Sequence, residues 1–482
     1  MNDLWAILLA FGYVGGVVAV GEVGYRMGLP RPIARKVVHV GAGLWIIGTL
    51  LVFENRFLAA VPPALSAAAN WVVHRRRLLG AVEADADNLG TVWFAVSFAL
   101  LVLLAWEEPA AMLGGVLAMT LGDAAASTVG LRLGRRPYAT LGGRTKSLEG
   151  SLAMFAVTLS TLLVVLRLFA PDLAAPAVAG LALLGAVAAS CAEALGIKGL
   201  DNLWVPLGTG FVVWSGLNLV TPLLPALGLG SLLASLIGLA AWRKGALTPS
   251  GVLGAILTGT AVFGLGGWPG GLALVAFFVS GSLLSRLFRQ RKAVVEADFA
   301  KTGTRDLGQA LANGGVAAVA AVAYTATGQA GWMGAILGSL AAAAADTWAT
   351  ELGVLARSAP RLITTFKPVP PGTSGAVSVG GTLAAVGGGL FIALVGALAD
   401  PRWWRLLPWV TLAGLAGSFL DSLLGATLQG VYWCPQCGKE TERPVHGCGS
   451  RTRLHRGLQV VSNDLVNLLA TVVGGLVGLL MV

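Results

Sequence analysis

Apolar residues run in stretches of about 20 along the whole chain, separated by short segments in which the charged residues collect. Each stretch is long enough to cross a hydrocarbon core of roughly 30 Å. About sixteen such runs stand near 4–25, 37–53, 57–73, 89–106, 109–131, 148–169, 174–196, 203–218, 222–241, 248–265, 267–288, 307–328, 332–356, 376–399, 407–429 and 457–481. Unpaired backbone is too costly in lipid, and the runs lack the alternation of a barrel strand, so they predict helices. The expected fold is therefore an all-α polytopic membrane protein. The first run has no basic leader and no clear cleavage site, so no cleavable signal peptide is expected.

Composition agrees: 56% of the 482 residues are hydrophobic and 12% charged, against roughly 25% charged in soluble domains. The net charge of +10 changes the picture through its placement. If the first helix starts outside, the segments after odd-numbered helices lie inside. Those segments hold all but four of the 33 lysines and arginines, the exceptions being Arg56, Arg167, Arg402 and Arg405. By the positive-inside rule both termini lie outside and eight basic loops face the cytoplasm, in the plasma membrane if the source is prokaryotic. The basic excess is thus a topological signal, and no nucleic-acid partner is expected.

Acidic residues in membrane helices are expensive, at ~2.5–3.5 kcal/mol on insertion scales. Glu22, Asp123, Glu149, Glu193, Asp201, Asp346, Glu351, Asp421 and Asp464 all fall toward the inner ends of their runs or in adjoining loops. A transporter would place some at mid-membrane. Carboxylates gathered on one side suit Mg²⁺ shared with nucleotide phosphates; helix capping and ion pairs with nearby arginines are the plainer reading.

Two stretches share a pattern, D-x-x-A-[ST]-x-x-G, at Asp123–Gly130 and Asp346–Gly353. Across a basic loop each is followed by a small polar cluster, Lys146 to Ser151 in one case and Pro371 to Gly375 in the other. An acidic position follows at similar spacing, Glu193 and Asp421, and then an acid/amide pair, Asp201-Asn202 and Asn463-Asp464. Four matches in order argue for two related modules, 1–242 and 243–482. Small residues let backbone N–H groups approach phosphate, and a helix N-terminus adds a favourable dipole. Ser147 and Gly150, with Arg144 and Lys146 as cationic clamps, and Gly372, Thr373, Ser374 and Gly375, with Arg361 and Lys367 nearby, are the candidate phosphate loops. Asp123, Glu193, Asp201 and Asn202 in the first module, and Asp346, Asp421, Asn463 and Asp464 in the second, are candidate Mg²⁺ ligands. Arg35 and His39 lie four residues apart on one helix face. His39 could orient or deprotonate an alcohol, or simply hydrogen-bond a carbonyl. No Walker motif and no kinase H-R-D signature occurs.

At these residues the chain resembles known families. Arg35-Lys36-x-x-His39, Gly122-Asp123-x-x-Ala126, Lys146-Ser147-x-Glu149-Gly150-Ser151 and Asp201-Asn202-x-x-x-Pro206 look like the dolichol kinase, phytol kinase and CTP-dependent diacylglycerol kinase family, over roughly residues 1–240. Ser250-Gly251, Arg305-Asp306-x-x-Gln309-x-x-x-Asn313-Gly314-Gly315, Asp346-Thr347-Trp348-x-x-Glu351, Pro370 to Gly375 and Asp421-Ser422 look like the phytyl-phosphate kinase family of vitamin E salvage. The resemblance implies a fusion with two consecutive steps, isoprenoid alcohol to monophosphate and monophosphate to diphosphate, with Mg²⁺ and with CTP as donor. It also implies catalytic roles for His39, Asp123, Glu149, Asp346 and Asp421, and phosphate contacts from Arg35, Lys36, Arg305 and Asn313. The rivals are a CTP-dependent phospholipid cytidylyltransferase, whose family shares the Lys-[Ser/Thr]-x-[Glu/Gln]-Gly motif, and a transporter built on repeats.

Cys434, Cys437, His446 and Cys448 stand in an insertion at 431–456, with His455 as an alternative ligand. A C-x-x-C followed by His and Cys provides four soft ligands suited to a structural Zn²⁺; free thiols in a loop are the plainer alternative. Cys191, alone in an apolar run, reads as packing.

Overall fold

A computed structural model describes residues 3–76, 89–140, 145–195, 199–287, 304–353, 359–442, 445–446 and 448–481. Each apolar run lies on a helix: α1 Asp3–Arg26, α2 Arg31–Val52, α3 Arg56–Arg76, α4 Gly90–Leu104, α5 Pro109–Leu117 and its continuation α6 Ala124–Leu133, α7 Leu148–Phe169, α8 Ala175–Leu195, α9 Asp201–Asn218, α10 Leu224–Arg243, α11 Pro249–Leu287, α12 Leu307–Thr327, α13 Ala330–Gly353, α14 Val379–Ala399, α15 Leu407–Thr427 and α16 Asn463–Leu480. Among the described residues, twelve helices are long and apolar enough to cross a membrane.

The runs near 248–265 and 267–288 form the single element α11, which folds back at Gly267 (φ 63°, ψ −165°). In a straight helix residues eight apart lie about 12 Å from each other. Here a methyl group placed on Gly270 would sit 3.4 Å from the carbonyl oxygen of Val262. The left-handed φ is one that glycine reaches without steric cost. The last helix starts at Asn463, later than its apolar run, because the Ser462 hydroxyl caps it by accepting from the Leu465 N–H.

The chain forms two compact units, Met1–Gly228 and Leu229–Val482. The change falls inside α10, whereas the Trp242–Gly245 cluster lies at that helix's end. Each unit is organised around one buried helix. In the first, every residue from Ala110 to Leu117 of α5 is buried, among α2, α4, α7 and α9. In the second, Met333 to Ala345 of α13 are all buried, among α11, α12, α14, α15 and α16. Lipid tails are as apolar as leucine, so helices associate in a membrane largely by close packing of small residues. The run Ala341–Ala345 suits this position.

Both buried helices end in the repeated D-x-x-A-x-x-x-G motif, and each is followed by a short antiparallel hairpin and a serine-capped helix. In the first unit β1 Pro137–Ala139 pairs with β2 Thr145–Ser147, and the Ser147 hydroxyl accepts from the Gly150 N–H to open α7. In the second, β3 Arg361–Leu362 pairs with β4 Ala376–Val377, and Ser378 accepts from the Gly381 N–H to open α14. A Cβ on Gly150 would meet the Ala126 carbonyl at 2.8 Å, and one on Gly381 would meet that of Ala349 at 3.5 Å. The partner of Ser147 in the repeat is therefore Ser378, and Ser374 stands four residues earlier, in the loop before β4.

Candidate functional site

In the first unit the site forms at the end of the buried helix. Ala118–Asp123 is a π-helical turn joining α5 to α6, a distortion that often marks functional positions. Within it the Met119 carbonyl lies 3.2 Å from His39 Nε2. A carbonyl only accepts, so His39 is held as the Nε2–H tautomer with Nδ1 left as acceptor. Lys36, one turn earlier on α2, forms an ion pair with Asp123, and His39 Nε2 lies 3.8 Å from the same carboxylate. Ser127 Oγ donates to Asp123 Oδ1 over 3.4 Å.

A second lysine completes the cluster. Lys146, on β2, pairs with Glu193 at 2.5 Å and Asp201 at 3.5 Å, drawing the ends of α8 and α9 together. Asp123 is also a charged neighbour of both Lys146 and Glu193, so the two triads are one polar centre. Burial alone would lower the Lys146 ammonium, but Glu193 and Asp201 hold it above its ordinary value. Burial and Glu193 push the Tyr138 hydroxyl up; that hydroxyl bonds Ser151 Oγ at 2.7 Å. Glu193 Oε2 is buried with no hydrogen-bond partner among the described residues.

In the second unit the corresponding end of α13 opens on a cavity of about 540 Å³. Asp346, Asp421, Arg305, Asn313, Asn463 and the whole loop Gly372 to Gly375 line it. Asp421 has Asp346 and Glu442 as charged neighbours, and its Oδ2 is buried without a hydrogen-bond partner among the described residues. Arg305 stacks over Phe277 and Phe278, at 4.9 and 5.3 Å from the ring centroids. Burial lowers it to about 10, so it stays cationic at neutral pH. Its backbone is tied to the strand-like segment after α10, the Arg305 N–H donating to Ala246 O at 3.0 Å. The Ser374 hydroxyl lies 3.0 Å from Gln429 Oε1 and 3.3 Å from the Gly425 carbonyl.

Carboxylates at the end of a buried membrane helix, cations beside them and small residues opening the next helix thus recur in both units. Residues 232–475, just over half of the chain and all within the second unit, match the family described as integral membrane protein DUF92. The chain belongs to this DUF92 family. It is 34% identical over 264 residues to "Protein PGR" of Arabidopsis thaliana, covering 49% of this chain and 89% of that relative. It is 33% identical over 219 residues to "Phytol kinase" of a Synechocystis species, covering 44% of this chain and 92% of the relative. With "Protein VTE6, chloroplastic" of Arabidopsis thaliana it is 29% identical over 244 residues, covering 49% and 65%. No solved structure matches the chain.

For this DUF92 chain the structure brings together Lys36, His39, Asp123, Lys146, Glu193 and Asp201 in one unit, and Arg305, Asn313, Asp346, Asp421, Asn463 and Gly372 to Gly375 in the other. Several expected residues are placed differently. The Glu149 carboxylate accepts from the Arg135 and Arg136 N–H groups, at 3.1 and 3.2 Å, and so pins the turn before β1. Arg35 is half-buried beside His39, but Lys36 is the residue paired with Asp123. Asn202 meets α4 through its backbone, its carbonyl accepting from Ser97 Oγ at 3.1 Å. Asp464 lies against the start of α12, its Oδ2 2.6 Å from where a Cβ on Gly308 would be. Arg361 donates to the Phe366 carbonyl within its own turn. Arg144 lies outside the described residues. Tyr138, Glu442, Gln429 and Arg456 reach these sites without having been singled out from the sequence; the last three flank or occupy the Cys/His insertion, where no repeat partner points to them.

Proposed function

We propose that this chain is a membrane kinase for isoprenoid alcohols acting in two steps. The first unit makes the monophosphate of an alcohol such as phytol or geranylgeraniol, and the second makes the diphosphate, each using a nucleoside triphosphate, CTP in our reading. The observation that carries the proposal is the repeated site: two units with the same buried helix, terminal aspartate, hairpin and serine-capped helix, one of them opening on a polar cavity. The relative named phytol kinase supports the substrate class, and each of the three relatives described covers half of this chain or less.

In the first step the alcohol oxygen attacks the γ-phosphorus. A P–O bond forms, the bond to the β-phosphate oxygen breaks, and the nucleoside diphosphate leaves. The hydroxyl proton passes to His39, whose Nδ1 would accept it while Nε2–H stays on the Met119 carbonyl. Lys36 and Lys146 hold the carboxylates and stand ready to turn toward phosphate oxygens. In the second step an oxygen of the isoprenyl monophosphate is the nucleophile, which needs no proton removed, and Arg305 with the loop Gly372 to Gly375 positions the two phosphates. The buried oxygens Glu193 Oε2 and Asp421 Oδ2 are hard donors that fit Mg²⁺. Asp123, Glu193 and Asp201, and in the second unit Asp346, Asp421 and Asn463, would hold it. Bound there, Mg²⁺ would neutralise the phosphate charge on which phosphoryl transfer depends. The basic segments put both sites on the cytoplasmic side in this reading.

The test is a product assay with detergent-solubilised full chain, γ-labelled CTP, Mg²⁺ and geranylgeraniol or phytol. Label entering a monophosphate and then a diphosphate is the expected result. Label in the monophosphate alone would remove the second step. Release of labelled pyrophosphate on adding phosphatidate, with no labelled lipid alcohol, would overturn the kinase reading in favour of a cytidylyltransferase.

A further inference from the structure

The insertion between α15 and α16 is a three-stranded antiparallel ribbon in the order β6-β5-β7, with β5 Val431–Cys434 in the middle, β6 Lys439–Thr441 and β7 Arg453–Arg456. Its described residues bury little of their own: Val431, Cys434 and Thr441. A unit this small has no hydrophobic core to hold it, and such pieces usually depend on a cross-link or a metal. Cys434, Cys437, His446 and Cys448 converge at one end, each offering a ligand atom within 4.8 Å of the others.

Two of the separations match a tetrahedral metal site. With zinc–sulfur bonds of about 2.3 Å, tetrahedral angles place two sulfurs roughly 3.8 Å apart, and a sulfur and an imidazole nitrogen slightly closer. Cys434 Sγ and Cys448 Sγ are 3.7 Å apart, and His446 Nδ1 is 3.2 Å from Cys448 Sγ. The separation also rules out a disulfide, and all the cysteines are free thiols. The backbone is shaped to match. Cys434 to Gly438 is a tight turn closing on a glycine of positive φ, 63° at Gly438, and Gly449, just after Cys448, also has a positive φ, 85°. Gly438 N–H donates to Cys434 O, and Gly449 N–H to His446 O, both over 2.9 Å.

The other end of the ribbon grips the second unit's cavity. Arg456, the last residue of β7, donates through Nη1 to the carbonyls of Gly425 and Ala426, at 2.9 and 3.1 Å. Its Nη2 donates to the Ser374 carbonyl at 3.2 Å. Glu442, just past β6, lines the cavity and accepts from Gln429 Nε2 at 2.8 Å. We propose that Cys434, Cys437, His446 and Cys448 bind one structural zinc ion, and that this ion fixes the ribbon so that Arg456 and Glu442 hold the loop Gly372 to Gly375 in shape. The metal is a positioning device for the cavity and touches no reacting atom.

The experiment measures zinc content and backbone hydrogen exchange on the solubilised full chain, so it is independent of whether the protein is a kinase. Wild-type protein purified under reducing conditions should carry one zinc per chain. Cys437→Ser should lose it and speed exchange in segments 372–376 and 425–430 about tenfold or more, by releasing the local opening the ribbon suppresses. Exchange in α5 and α7 should stay as it was, which separates loss of metal from global unfolding. His446→Cys, which keeps four soft ligands, should retain the zinc and the protection. Failure of reduced wild-type protein to bind zinc, even after incubation with it, would overturn the site. Zinc lost from Cys437→Ser with unchanged exchange in 372–376 would overturn the link to the cavity.

Discussion

The two units build the same end of a buried helix and then treat its charge in opposite ways. In the first, each lysine answers a carboxylate: Lys36 meets Asp123, and Lys146 meets Glu193 and Asp201. In the second, the residue just before the capping serine, where Lys146 stands in the first unit, is Val377, and it lines the cavity. Asp346 and Asp421 then have each other and Glu442 for company, while Arg305 is stacked on aromatic rings. The backbone scaffold is thus separable from the electrostatics it carries. In the proposed reading the first centre offsets most of its carboxylate charge with its own lysines, whereas the second, with Val377 where Lys146 stands, would lean more heavily on divalent cations.

The largest effect should come from removing the aspartates one unit at a time. Asp123→Asn should cut monophosphate formation by ~10³-fold and leave turnover of supplied isoprenyl monophosphate intact; Asp421→Asn should do the reverse. Separate assays with alcohol and with monophosphate read this directly, and loss of both steps in either variant would dissolve the comparison. His39→Gln should lower kcat of the alcohol step by ~10²-fold while sparing the second step, whose nucleophile carries no proton. Lys146→Ala leaves two carboxylates without their cation and should destabilise the first unit by ~3–5 kcal/mol, seen in thermal unfolding in detergent. Because the folded-state value of Lys146 is raised, that contribution is complete below the unfolded value of roughly 10.4 and is lost only as pH climbs through the higher folded one. Val377→Lys sharpens the contrast: a lysine among the carboxylates should compete with the divalent cation and raise the Mg²⁺ needed for half-maximal second-step rate by about tenfold. The smallest change is Ser378→Ala, a lost helix cap of ~1 kcal/mol.

Much of this was legible in the sequence because lipid makes it so. Apolar runs of membrane-spanning length must be helical, and Asp123, Asp346, Glu193 and Asp421 stood out because charge in such runs is rare. The D-x-x-A-x-x-x-G repeat also carries through to packing, with Gly150 on Ala126 and Gly381 on Ala349. Strands of two or three residues carry no periodicity, so the hairpins were invisible, and with them the pairing of Ser147 with Ser378. Glu149 was read from its motif, yet its carboxylate is committed to two backbone amides. Arg456 could not be found by spacing, since its contact with Ser374 spans 82 residues and depends on how an insertion folds back.

A helix of 39 residues run straight would measure roughly 58 Å, about twice the hydrocarbon thickness of a bilayer. Bent at Gly267, it returns the chain to the side it left, which is why Thr248 and Arg305 can bond across its base. One residue in a left-handed conformation thereby sets the parity of every later crossing. A side chain that straightened α11 would do more than strain a turn: it would reverse which face of the membrane receives Asp346, Asp421 and the ribbon beyond them.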